Sequence, residues 1–135
     1  MNKQISLSIV AIIAFSAFIS SCSKNGEDTP LANSRAVKIE LNGNYTGNIS
    51  LSYTNQNGIV IIDTITTLPW VKEIPYFNKV DSVKVSGISD DMGNLGSAGQ
   101  SASVKIYSAG EEKASQSATA DGTGVIKIPA VSYGL

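Results

Sequence analysis

The chain has 135 residues, with ten Lys and Arg against eleven Asp and Glu, no histidine and one cysteine. A balance this close to neutral offers no basic surface to neutralise phosphates, so nucleic acid is not expected as a partner. Without histidine the commonest general base, most nucleophilic triads and most zinc sites are gone, and neither enzymatic activity nor a metal or other cofactor is expected.

The N-terminus reads as a targeting segment. Met1-Asn2-Lys3 is a short positive region, and residues 5–19 form an apolar run broken only by Ser6, Ser8 and Ser16. That run is short for a hydrocarbon core of about 30 Å but suits the apolar region of a signal peptide; a retained signal anchor is the competing reading. It ends in Ile19-Ser20-Ser21-Cys22, which resembles a bacterial lipobox. The resemblance implies removal of residues 1–21, a thioether-linked lipid on Cys22 and acylation of its amine. Several acyl chains anchor a protein durably where one does so only marginally. A lone cysteine is otherwise a small buried hydrophobe or a spare thiol, yet this one lies behind an apolar run and ahead of a polar tail. Cleavage removes one Lys and no acid, leaving a mature balance of nine against eleven, or −2. With Cys22 lipidated no disulfide can form, and the fold must rest on its core.

Residues 22–34 carry the lipidated cysteine and a flexible tether. The twelve residues of SKNGEDTPLANS would span about 20 Å as a coil and about 40 Å stretched. Ser23 in place of Asp is similar to the pattern of lipoproteins sent to the outer membrane of two-membrane bacteria. Lys24, Glu27 and Asp28 look like a surface-export signal, or else a solvated spacer.

Residues 35–135 form one domain of about a hundred residues, enough for a genuine core. Its signature is period two. Val37/Ile39/Leu41, Ile49/Leu51/Tyr53, Val83/Val85, Ala102/Val104/Ile106 and Ile126/Ile128 each alternate with polar residues, as half-buried antiparallel strands do. The Ala-rich residues 114–120 are interleaved with Ser, Gln and Thr, which favours strand over helix. Asn57-Gly58 predicts a two-residue type I′ hairpin turn. Ile59-Val60-Ile61-Ile62 is apolar on both parities and predicts a central strand buried on both faces. Pro69 and Pro75 bracket residues 70–74, which predicts an edge strand or a crossover between sheets. About seven short strands with turn signals between them predict an all-β, immunoglobulin-like antiparallel sandwich.

The order of several motifs is similar to the mycobacterial "membrane protein small" (MmpS) family. The motifs are Tyr53-Thr54-Asn55-Gln56-Asn57-Gly58, then Leu68-Pro69-Trp70 with Lys72, then Asp81-Ser82-Val83-Lys84-Val85-Ser86 and Ser103-Val104-Lys105-Ile106. The resemblance covers residues 36–120. It implies an immunoglobulin-like sandwich tethered to an envelope membrane and acting as a non-catalytic accessory to an exporter. The chain departs from that family in its lipid anchor, where a transmembrane helix is usual, and in lacking the domain's cysteine pair.

Candidate site residues are few. Trp70 either stacks on a ligand or packs into the core, and Tyr76, with Tyr45, Tyr53 and Phe77, either joins a surface aromatic patch or is core. Asp90 and Asp91 form the densest oxygen cluster, but the spacing fits no EF-hand loop, so an acidic exposed loop is the plainer reading. The surrounding residues 87–99 are Gly/Ser-rich and read as ordinary disorder, with a binding loop as the alternative. Asp63 reads as a strand-end carboxylate facing solvent or a turn N–H. Glu111-Glu112-Lys113 reads as a solvated hairpin tip. The function expected is a lipid-anchored envelope module that docks onto a protein partner such as a transporter. The alternative is a surface lipoprotein binding glycan or host protein.

Overall fold

The computed structural model describes residues 35–89 and 93–135, so the expected signal segment and tether, Cys22, Asp90 and Asp91 lie outside the described residues. The described residues form eight strands and no helix: β1 (Arg35–Gly43), β2 (Ile49–Thr54), β3 (Val60–Ile65), β4 (Trp70–Tyr76), β5 (Ser82–Ser89), β6 (Ser101–Ser108), β7 (Glu111–Thr119) and β8 (Lys127–Gly134). They pair antiparallel into two four-stranded sheets, β4-β1-β6-β7 and β3-β2-β5-β8. The all-β sandwich is as the period-two pattern predicts, with one strand more than about seven. Its first strand lies between β4 and β6, whereas the first two strands of an immunoglobulin sandwich share a sheet.

The core lies between the sheets. On β1 the inward residues Val37, Ile39 and Leu41 are fully buried and face Ile106 and Val104 of β6 along the same sheet. Opposite them stand Ile49, Leu51 and Tyr53 of β2 and Val83 and Val85 of β5, also buried. Full burial of each such side chain favours the fold by about 1.5–3 kcal/mol. The alternation breaks on β8 at a bulge where Pro129 and Ala130 stand against Ser86, so that Ile128 and Val131 both turn inward, and a second bulge falls at Lys113 of β7. An edge strand at a bulge is where proline is tolerated, because no ladder donor is missed.

The turns sort by backbone sign. Ala109 and Gly110 both have positive φ (52° and 79°) and join Ser108 to Glu111, so the two-residue I′ turn lies here rather than at Asn57-Gly58. The tip of that hairpin is therefore Ala109-Gly110, and Glu111, Glu112 and Lys113 open β7 instead. The Asn57-Gly58 hairpin is a three-residue loop with only Gly58 at positive φ (81°). Asn55 organises it: its N–H donates to Ile59 C=O at 2.8 Å, its C=O accepts from Gly58 N–H, and its side-chain oxygen accepts from the N–H groups of Asn57 and Ile59. Asp121 builds the same loop, with Gly124 at φ 84° and its carboxylate accepting from Thr123 and Val125. Asx side chains bonding their own backbone two residues on favour such turns.

Strand registers assign the two ends of the sandwich. Arg35, residues 55–59, residues 77–81 and the C-terminus share one end, where the Arg35 guanidinium donates to Phe77 C=O and Val80 C=O and Leu135 N–H donates to Asp81 C=O. At the far end Tyr45 is 4% exposed; its hydroxyl donates to Gly124 C=O at 2.9 Å and accepts from Gly96 N–H at 3.1 Å. Residues 93–99 are thus pinned beneath a tyrosine, and Asn48 N–H donates to Asn94 C=O at 2.6 Å. For residues 87–89 and 93–99 this corrects the reading as disorder; residues 90–92 lie outside the described residues. Residues 87–89 belong to β5, and Gly47 and Gly96 let the backbone of residues 94–96 pack closely.

Candidate docking surface on the second sheet

The outer faces of the two sheets differ in chemistry. The β4-β1-β6-β7 sheet presents charge: Lys38 bridges Glu40 at 2.6 Å and sits 4.4 Å above the Tyr107 ring, and Lys105 bridges Glu112 at 2.8 Å. The β3-β2-β5-β8 sheet presents small hydroxyls and bare apolar groups, together with Lys84 of β5 and Lys127 of β8. Ser50 and Ser52 of β2 and Ser86 of β5 floor a shallow groove of about 390 Å³, walled by Ile62, Ile88 and Pro129. Ile62 is 68% exposed, Val60 62% and Ile88 46%. Singly such residues need no explanation, but together on one face they form an apolar surface that suits association.

β3 lies at the margin of this sheet, pairing only with β2. The expectation of a central strand buried on both faces is therefore corrected. Ile61, Asp63 and Ile65 turn inward, while Val60, Ile62 and Thr64 face out and are exposed. The chain leaves the sheet after Ile65, passes through Leu68-Pro69 and enters β4 at the edge of the other sheet, and among the described residues no strand pairs with β3 on its second side. β4 is both an edge strand and the product of a crossover, as the bracketing prolines predict.

The two margins β3 and β4 face each other across the opening of the sandwich, and a polar cluster bridges them. Lys72 projects inward from β4, and its ammonium donates to the Tyr53 hydroxyl and, at 3.1 Å, to Asp63. The Tyr53 hydroxyl donates to the same Asp63 oxygen at 2.5 Å, and the ammonium lies 4.8 Å from the Tyr53 ring centroid. The Tyr53 hydroxyl holds the Asp63 carboxyl below its ordinary value, with Lys72 assisting. The same hydroxyl, then Asp63, raises Lys72. Burial, then the carboxylate, raises Tyr53. Asp63 is thus neither a strand-end group facing solvent nor an isolated buried acid. It is half of an ion pair that ties one sheet to the other, and its charge is answered within the molecule. Among the described residues no group of three or more His, Cys, Asp or Glu is placed to hold a metal, and no helix is long and apolar enough to cross a membrane.

The predicted site residues are not brought together. Trp70 starts β4 opposite Leu41, half-buried against the core, its ring 6.2 Å from that of Tyr53. Tyr76 ends the same strand opposite Arg35, about 20 Å away at 3.3 Å per residue. Tyr76 is fully buried and its hydroxyl donates to Thr54 C=O. It cannot present a face to a ligand, which corrects its reading as a binding residue. Asp90, Asp91 and Cys22 lie outside the described residues. Residue-by-residue reasoning missed Val60, Ile62 and Ile88 as a surface, and Lys72 as the partner of Asp63. Comparisons with protein families, curated proteins and solved structures return no match.

Proposed function

We propose that this chain is a lipid-anchored envelope protein whose sandwich is a non-catalytic docking module, engaging a protein through β3 and the adjoining face of its sheet. The observation that carries the reading is the bare apolar margin: Val60 and Ile62 stand exposed on a strand with one neighbour, beside a serine-floored groove. An edge strand of this kind recruits partners by strand addition, main-chain hydrogen bonds giving affinity and alternate side chains giving specificity. Cys22, placed directly behind the apolar targeting run, supplies the anchor, and residues 23–34 the tether. The narrower form, in which the partner is an exporter, rests on the MmpS-like order of the hairpin, the Leu68-Pro69-Trp70 segment and the later strands. A glycan-binding surface lipoprotein has less support, because Tyr76 is buried and residues 93–99 are packed down.

Two measurements test the reading. Growth with an alkyne fatty acid labels the wild-type protein, and Cys22→Ala loses both the label and sedimentation with membranes. A photo-crosslinking residue at position 62 yields protein adducts, whereas one at position 105 on the charged sheet does not. Unlabelled, soluble wild-type protein removes the anchor, and equal adducts from both faces remove the docking surface.

A further inference from the structure

We infer that the partner at the β3 margin is a second copy of this chain, joined by antiparallel β3–β3 pairing centred on Ile62; the inference rests on the reading of β3 as the docking strand. The four marginal strands of the described sandwich are not alike. β4 carries Pro75 and the outward Glu73, β7 opens with Glu111, Glu112 and Lys113, and β8 carries Lys127 and a proline-bearing bulge. Charge, proline and bulges are the devices by which edges avoid pairing. On its outward side β3 has none of them: it offers Val60, Ile62 and Thr64, and its one charge turns inward to Lys72.

The hydrogen-bonding groups are also correctly aimed. Asn55 and Ile59 close the hairpin as a bonded pair. Alternation along an antiparallel ladder then makes Tyr53–Ile61, Leu51–Asp63 and Ile49–Ile65 the bonded pairs within the sheet. The N–H and C=O groups of Val60, Ile62 and Thr64 consequently point to the open side. They are the residues whose side chains are exposed on the outer face.

The strand is complementary to itself. With Ile62 facing Ile62 of a second copy, Val60 faces Thr64 and Thr64 faces Val60. Three bonded pairs supply six hydrogen bonds, and the cross-strand neighbours are all β-branched. Sliding the centre to Asp63 sets two carboxylates against each other, and sliding it to Ile61 forfeits the Thr64 pair. On β3 itself no outward residue is charged; the lysines on the outward face of its sheet, Lys84 and Lys127, stand on β5 and β8. The resulting dimer has its two-fold axis perpendicular to the joined, eight-stranded sheet, so the two Arg35 ends point in opposite directions. β1 is nine residues long, about 30 Å at 3.3 Å per residue. Tethers with about 40 Å of reach allow both anchors to enter one membrane beneath a dimer lying on its side. Confinement to a membrane raises the effective concentration, so a small interface suffices.

The register is testable in membranes with a short bifunctional thiol reagent on the full chain. Ile62→Cys gives a covalent dimer. Val60→Cys alone gives none, because its copies lie about 13 Å apart, while Val60→Cys mixed with Thr64→Cys does. Ile62→Lys, at a position 68% exposed, leaves the circular dichroism spectrum unchanged and weakens dimerisation about tenfold or more, by placing two ammonium groups face to face. Equal cross-linking at positions 60 and 62, or none at either, overturns the pairing. Adducts from position 62 to a different protein, without self-adducts, overturn the second copy as occupant and leave the docking strand standing. No adducts of any kind remove both.

Discussion

Replacing Tyr45 by Phe removes one hydroxyl from the far end of the sandwich and leaves the ring in place. That hydroxyl joins three segments: it is carried between β1 and β2, donates to Gly124 C=O at 2.9 Å and accepts from Gly96 N–H at 3.1 Å. Each bond contributes about 1 kcal/mol net, and a buried group left without a partner costs about 1–3 kcal/mol. The ring is 4% exposed, and Gly96 and Gly124 pack so closely that a side chain on either would strike the other segment or the ring. Water therefore has little room to replace the hydroxyl, and a loss of about 2–3 kcal/mol is expected. Near its midpoint a domain of about a hundred residues unfolds with about 0.2 kcal/mol per kelvin of entropy, so the midpoint falls by about 10–15 °C. Urea unfolding and calorimetry of Tyr45→Phe measure it. The denaturant slope stays constant, since the surface exposed on unfolding is the same. A loss below about 0.5 kcal/mol would show that close glycine packing, and not the hydroxyl, holds residues 93–99 and 121–125 in place.

The twin loops provide a controlled comparison: Gly58 and Gly124 share a φ near +80°, but a methyl on Gly58 meets only Val80 at 3.9 Å, while one on Gly124 collides with the Gly96 carbonyl. Gly58→Ala therefore costs about 1–2 kcal/mol, the backbone term alone, and Gly124→Ala costs more or prevents folding; equal midpoints in urea would contradict the packing argument. Asp63→Asn tests the bridge between the margins. The Asp63 carboxyl lies below its ordinary 3.8, so its contribution is present above that pH and fades as pH falls through the lowered value. With its side chain 38% exposed, screening limits the effect to about 1 kcal/mol. The urea midpoints of wild type and Asp63→Asn should differ at pH 6 and converge in strong acid, and a constant gap would refute the assignment. At the other limb, burial, then Tyr53, pushes Tyr76 up to about 12 from 10.0. Its neutral form favours folding fully below pH 10, and that contribution is lost as pH climbs toward 12. Ultraviolet titration should show Tyr76 ionising late, beside the raised Tyr53, and Tyr76→Phe should lose one late-ionising step and have a flatter alkaline stability profile.

The amino-acid sequence alone determined the strands, because alternation of apolar and polar residues reports directly which side chains can share a dry face. It also placed most turns, and the prolines around residues 70–74 marked the crossover. Hairpin chemistry was legible as position but not as type: Asn57 and Gly58 suit a two-residue turn, and Asn55 captured the backbone into a three-residue loop instead. Tertiary structure decided who neighbours whom. A run such as Ile59-Val60-Ile61-Ile62 has the same composition whether a strand lies on each side of it or on one. Only the sheet order β3-β2-β5-β8 converted it from presumed core to exposed margin. The pairing of Asp63 with Lys72 was hidden for the same reason, since it joins different sheets. Periodicity records the two faces of a strand and carries no information about its two edges, and the candidate docking surface of this protein lies along one of those edges.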